Sequence, residues 1–178
     1  MKVRKGIISD LKDILQLEYR LYPEQWHVSQ EFAKEVLTRN DDVIRVLDVN
    51  GMIKGHYAFL PLEKTIYEQI LHGEMDEKEL AEHILSYKEA RNVYLYWTTV
   101  MVDIEDPDRT QLSRCLLNDI PQYLQGLKER GINIVEIGGI FISEQGIRVA
   151  KRFGMKQTGM IQYIDGKTYP IYRTSFIH

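Results

Sequence analysis

The stretch Arg109-Thr110-Gln111-Leu112-Ser113-Arg114 follows an acidic turn, Asp103 to Asp108, and opens a helical pattern that runs to about Glu129. The first amides of a helix lack partners within it, and the helix dipole places positive charge there, so such a start suits an anion. The Thr110 and Ser113 hydroxyls could assist in holding it, the alternative being an ordinary capped helix N-terminus after an acidic turn, and Ser143 opens a second, shorter helical stretch. For proton transfer the candidates are Tyr96, Glu136 and His56, all in β-prone stretches. His27, His56, His72, His83 and His178 show no paired zinc-site spacing, so no metal is expected. There is no Gly-x-Ser-x-Gly elbow. Tyr94, Tyr96 and Trp97 could stack on bases, but an apolar β run makes them core residues, and no nucleic-acid partner is expected.

These side chains must be positioned by alternating helices and strands. Lys2 to Ile8 reads as a strand, with Ser9 or Asp10 capping a helix whose apolar face is Leu11, Ile14, Leu15 and Leu17. Ser29 caps a second helix to Arg39, with Phe32, Ala33, Val36 and Leu37 on one face. Asn50-Gly51 joins Val43–Val49 to Met52–Leu60 in a tight hairpin, and Pro61 is expected to end the second strand. Residues 62–91 predict two helices broken near His72-Gly73. Val93 to Val102, apolar almost throughout, predicts a central strand covered on both faces. After the long helix, which Pro121 could kink, come a strand at 133–142, the Ser143-capped helix ended by Gly154, and β segments near 155–163 and 169–176.

Bulk properties bound the rest. A chain of 178 residues, 44% hydrophobic and 28% charged, suits one domain spanning 1–178, with no linker or repeat to mark a second. Net charge −3 gives no basic field for nucleic acid or an anionic membrane. Cys115 is the only cysteine, which excludes an internal disulfide and fits a reducing compartment. The first ten residues lack the apolar core of a signal peptide, and no apolar run is long enough to span a bilayer. A cytoplasmic protein without membrane attachment is the expectation.

The element order, the hairpin Asn50-Gly51-Met52-Ile53-Lys54-Gly55-His56, and the ending Lys151-Arg152-Phe153-Gly154-Met155 of the Ser143–Met155 stretch together resemble the GNAT acetyltransferase superfamily over nearly the whole chain. The resemblance implies an α/β (α+β) fold with a mixed, mostly antiparallel central sheet flanked by helices, carrying here a helical insertion between the third and fourth strands. It implies acetyl-CoA as co-substrate, lying where the fourth and fifth strands splay apart. The backbone near Val102 and Ile104 would orient the acyl carbonyl. Arg109, Thr110, Gln111, Leu112, Ser113, Arg114 and Ser143 would contribute to holding the coenzyme. The acceptor would be an amine of a small molecule or peptide. The chain departs from the family pattern in having no glycine in Arg109–Ser113, in a loop one residue short, and in placing Thr99 and Ala150 where many members have a catalytic Glu and Tyr. Tyr96 and Glu136, with His56, are the replacements expected on elements bordering the cleft. The insertion at 62–91 would be a lid, a dimer surface or a solvated decoration. Two functions follow: N-acetyl transfer, or a non-catalytic GNAT-fold module that binds a ligand or partner.

Overall fold

In a computed structural model of the chain, describing residues 1–163 and 165–175, seven strands form one sheet in the order β1-β2-β3-β4-β5-β7-β6. They are β1 (Lys2–Lys5), β2 (Ile44–Val49), β3 (Met52–Leu62), β4 (Asn92–Val102), β5 (Asn133–Ile140), β6 (Lys156–Gln162) and β7 (Thr168–Ser175). The helices are α1 (Leu11–Leu21), α2 (Gln30–Arg39), α3 (Lys64–Leu71), α4 (Arg109–Glu129) and α5 (Glu144–Arg152). The β4–β5 pair is parallel, whereas β1–β2, β2–β3, β5–β7 and β6–β7 are antiparallel. This is the mixed, mostly antiparallel sheet flanked by helices that the sequence predicts, with β4 central.

The chain divides into two compact units, Met1–Ala58 with Thr99–Arg130, and Phe59–Thr98 with Gly131–His178. Strands β3 and β4 each run through both. In the first unit successive β3 side chains face opposite ways, as strand geometry demands. Tyr57 donates to Asp119 on α4 at 2.7 Å, and His56 meets Glu18 on α1 at 2.9 Å, so these two helices cover opposite faces. Asp119 also receives both ends of the Arg45 guanidinium at 3.1 Å. Burial, with the hydrogen bond to Asp119 second, pushes the Tyr57 phenol far above its ordinary range, so it stays a proton donor. Leu11, Ile14, Leu15 and Leu17 of α1, Ala33, Val36 and Leu37 of α2, and Leu112, Leu116 and Ile120 of α4 are buried, as their helical spacing requires.

The second unit has an aromatic face and a polar-tipped one. Trp97 stands 4.8 Å from Phe59, 5.8 Å from Phe141 and 5.5 Å from Phe153, ring centroid to ring centroid. Across the strand, Tyr94 meets Tyr67 of α3 at 5.2 Å. The insertion therefore docks on β4 and β5. A Cβ on Gly138 would overlap the Tyr67 hydroxyl, so β5 needs glycine there for α3 to approach.

The insertion has the two helices expected, α3 and a 3-10 helix over Glu77–His83, with the break at Gly73, whose φ is +72°. Two local expectations are corrected. Strand β3 continues through Pro61 to Leu62: proline's fixed φ is compatible with extended backbone, and its carbonyl accepts from Leu85 N at 2.9 Å. Asp10 precedes α1 without capping it, because its carboxylate is engaged by Arg4 and by Ile7 N. The hairpin turn has the positive φ values expected, 54° at Asn50 and 84° at Gly51. Phe176, expected to end the last strand, and His178 lie outside the described residues.

Candidate functional site

The β4–β5 ladder runs from Asn92↔Asn133 to Tyr96↔Gly138, whereas β4 itself continues to Val102. The chain then turns and enters α4 at Arg109. Strand β3 stays close to this end of β4: Asp103 N donates to Lys54 O at 2.8 Å, and a Cβ on Gly55 would sit 2.7 Å from the Met101 carbonyl oxygen. Ile104 projects into solvent, 57% exposed, while Asp103 is buried.

The turn uses its own carboxylates as caps. Asp103 accepts from Glu105 N at 3.2 Å, and Asp106 accepts from Asp108 N at 2.9 Å. The Arg109 amide donates to Asp106 O, and those of Gln111 and Leu112 to Asp108 O. Lys54 joins Asp103 at 3.3 Å and Asp106 at 3.0 Å, and Arg20 joins Asp103 at 3.4 Å and Glu105 at 3.1 Å. Asp106 is held below the ordinary carboxylate range by the Asp108 amide first and Lys54 second. Most of the amides before and at the start of α4 are thus satisfied within the chain.

The side chains on α4 are differently placed. Arg109, Thr110, Gln111 and Arg114 are exposed, Ser113 is half-buried and Leu112 is buried. Among the described residues neither Arg109 nor Arg114 forms an ion pair. Tested against a diphosphate, this first part of α4 offers two guanidinium groups and two hydroxyls, at the positive end of a 21-residue helix. The turn before them is not an amide-lined glycine loop. Ser143 accepts from Gly146 N at 3.0 Å, so its hydroxyl caps α5.

The candidate proton carriers divide. Tyr96 is 1% exposed, and its hydroxyl donates to Glu77 of the insertion. Glu136 accepts from Tyr67 at 2.8 Å and pairs with Arg173 at 3.2 Å, while Arg173 binds Glu68 at 2.8 and 2.9 Å. Both residues therefore tie the insertion to the second unit's sheet. His56 is different. Its Nε2 meets Glu18, and its buried Nδ1 has no partner among the described residues. Tyr22, the extended residue just after α1, reaches Thr99 on β4, oxygen to oxygen, at 3.2 Å. Polar contacts from α1 and from its C-terminal end thus meet β3 and β4.

Glu18, Tyr22, Arg20 and Lys54 escaped the sequence reading. A signal existed for the first two: positions 11, 15, 18 and 22 continue one helical stripe, so Glu18 stands where that stripe calls for an apolar residue. Among the described residues no group of three or more His, Cys, Asp or Glu is arranged to hold a metal, and no helix is long and apolar enough to cross a membrane.

Comparison with known proteins places the fold. No family model and no curated protein matches the sequence. Solved structures do. The loading GNATL domain of CurA from Lyngbya majuscula superposes with a TM-score of 0.73 at 13% identity, covering 98% of this chain and 96% of that one. Ard1 from Thermoplasma volcanium gives 0.66 at 13% identity, covering 99% and 98%. Arabidopsis thaliana Naa50, solved with the bisubstrate analogue CoA-Ac-MVNAL, gives 0.62 at 16% identity, covering 98% of each chain. The chain has the fold of the GNAT acetyltransferases.

Proposed function

We propose that the protein is an acyltransferase that moves an acetyl group from acetyl-CoA to an amine of a small molecule or peptide. The observation that carries this reading is the end of β4: the strand outruns its ladder with β5 and leads directly into a helix start bearing Arg109, Thr110, Ser113 and Arg114. The GNAT fold, and a similar structure holding a coenzyme A bisubstrate analogue, support the choice of donor. The thioester carbonyl would lie against the backbone at Val102 and Ile104. The diphosphate would be held by the guanidinium groups and hydroxyls of α4, with Gln111 beside them. Rate enhancement would come largely from holding thioester and amine in reacting geometry.

A second reading has its own support. The self-capped turn Asp103–Asp108 spends most of its amides within the chain, leaving few to receive a diphosphate, which favours a GNAT-fold module that binds a ligand or partner without catalysis. Thermal shift with acetyl-CoA, followed by thiol release over a panel of primary amines and short peptides, separates the two. The first reading predicts a raised Tm and turnover with at least one acceptor. A shift without thiol release on the whole panel supports the second, and no shift at millimolar coenzyme rejects acetyl-CoA as ligand.

A further inference from the structure

We infer that His56 and Glu18 form the proton-accepting pair of the acyl transfer proposed above, on which this inference rests. His56 is 1% exposed on β3, and its Nε2 lies 2.9 Å from Glu18 Oε1. A carboxylate can only accept, so Nε2 carries a ring hydrogen, and in the neutral ring Nδ1 then presents a bare lone pair. That nitrogen is buried and has no donor among the described residues. An unpaired buried acceptor is costly in a merely structural histidine, and apolar side chains are available for filling a core. The same arrangement is what a base requires: a lone pair held ready, with a carboxylate behind the ring to stabilise the imidazolium that forms.

The surroundings agree with that role. Thr99, at the position where the family pattern has a carboxylate, has no basic group to offer, but its hydroxyl meets Tyr22, which follows the helix that carries Glu18. Other titratable groups on the neighbouring elements are already engaged: Arg20 and Lys54 with the acidic turn, and Arg4 with Asp10 and Asp48. On β2 the register partner of His56 is the uncharged Val46. Glu18 is the only ionisable group bonded to the ring among the described residues.

The step balances as follows. The amine nitrogen attacks the thioester carbonyl, forming C–N as C–S breaks. The proton lost by nitrogen reaches Nδ1 through a hydroxyl or water relay, since that atom is buried, and the imidazolium then gives a proton back along the relay to the departing thiolate, which leaves as coenzyme A thiol.

Two measurements on the full chain decide it. Ring ¹⁵N shifts of histidine-labelled protein should show His56 protonated on Nε2 and bare at Nδ1 near neutral pH. With acetyl-CoA and the amine panel, His56→Gln should lower kcat at least about 100-fold while keeping the coenzyme-induced Tm shift and the KM for acetyl-CoA. Glu18→Gln should move the kcat–pH profile as well as its height, and it serves if His56→Gln does not fold. A proton on Nδ1, or His56→Gln turnover within threefold of the unmodified chain, overturns the pair and leaves the acetyl-CoA reading standing. No thermal shift and no thiol release from the unmodified chain overturns both.

Discussion

Arg4 is gripped by two carboxylates, Asp10 at 2.7 and 2.9 Å and Asp48 at 2.9 Å, and Arg173 by Glu68 and Glu136. Asp10 is held below the usual carboxylate range by its hydrogen bonds from Arg4 first, and Glu68 by those from Arg173 first. With the folded pKa depressed, the unfolded chain binds more protons as acid is added. The stabilisation is complete above the unfolded value of about 4 and is lost as pH falls through the lower, folded one. The urea midpoint should therefore drop steeply from about pH 5 to about pH 2. Arg4→Met should flatten that slope as well as lower the plateau, and an unchanged slope would show that Asp10 is not titrating against Arg4. Residue types revealed much at this scale but not partnership. Glu136 was legible as a carboxylate on a strand, yet its bonds to Tyr67 and Arg173 join residues far apart in sequence, which no local pattern encodes. His56 is a visible candidate in the sequence, whereas Glu18 is masked by the amphipathic helix that contains it.

At the scale of elements, side-chain caps mark the helix starts that the sequence placed best. Ser29 accepts from Phe32 N at 3.1 Å and Ser143 from Gly146 N at 3.0 Å. Ser143→Ala should cost about 1 kcal/mol, read as a lower urea midpoint with unchanged m-value, while Ser143→Gly should cost only a few tenths. Equal losses from the two substitutions would show that the hydroxyl does not cap α5. Elsewhere local rules met stronger constraints. Pro61 is a strand breaker by composition, but β3 passes through it because only its carbonyl is needed there. Glu77–His83 is charged and helix-favouring, and it tightens to 3-10 geometry while burying Leu80 and Ala81 and placing Glu77 on the Tyr96 hydroxyl. Packing decided that segment, not propensity.

For the molecule as a whole, the succession of elements followed from the hairpin, the apolar central strand and the alternation after it, each specified by short-range periodicity, whereas the placing of β7 between β5 and β6 is a long-range pairing that no local pattern encodes. The proposed coenzyme site was less legible. Its placement rests on the family resemblance, and its chemistry depends on which amides the turn consumes; Asp103 and Asp106 consume theirs in a way that only coordinates reveal. In the function proposed above, guanidinium groups on α4, rather than a glycine loop, receive the diphosphate. Isothermal titration of coenzyme A into the full chain, and into the Arg109→Ala, Arg114→Ala double variant, tests it most directly. The account predicts saturable one-to-one binding that weakens by at least about tenfold in the double variant and falls with added salt. Equal affinity in both proteins, or no heat of binding in the unmodified chain at millimolar coenzyme A, would contradict it.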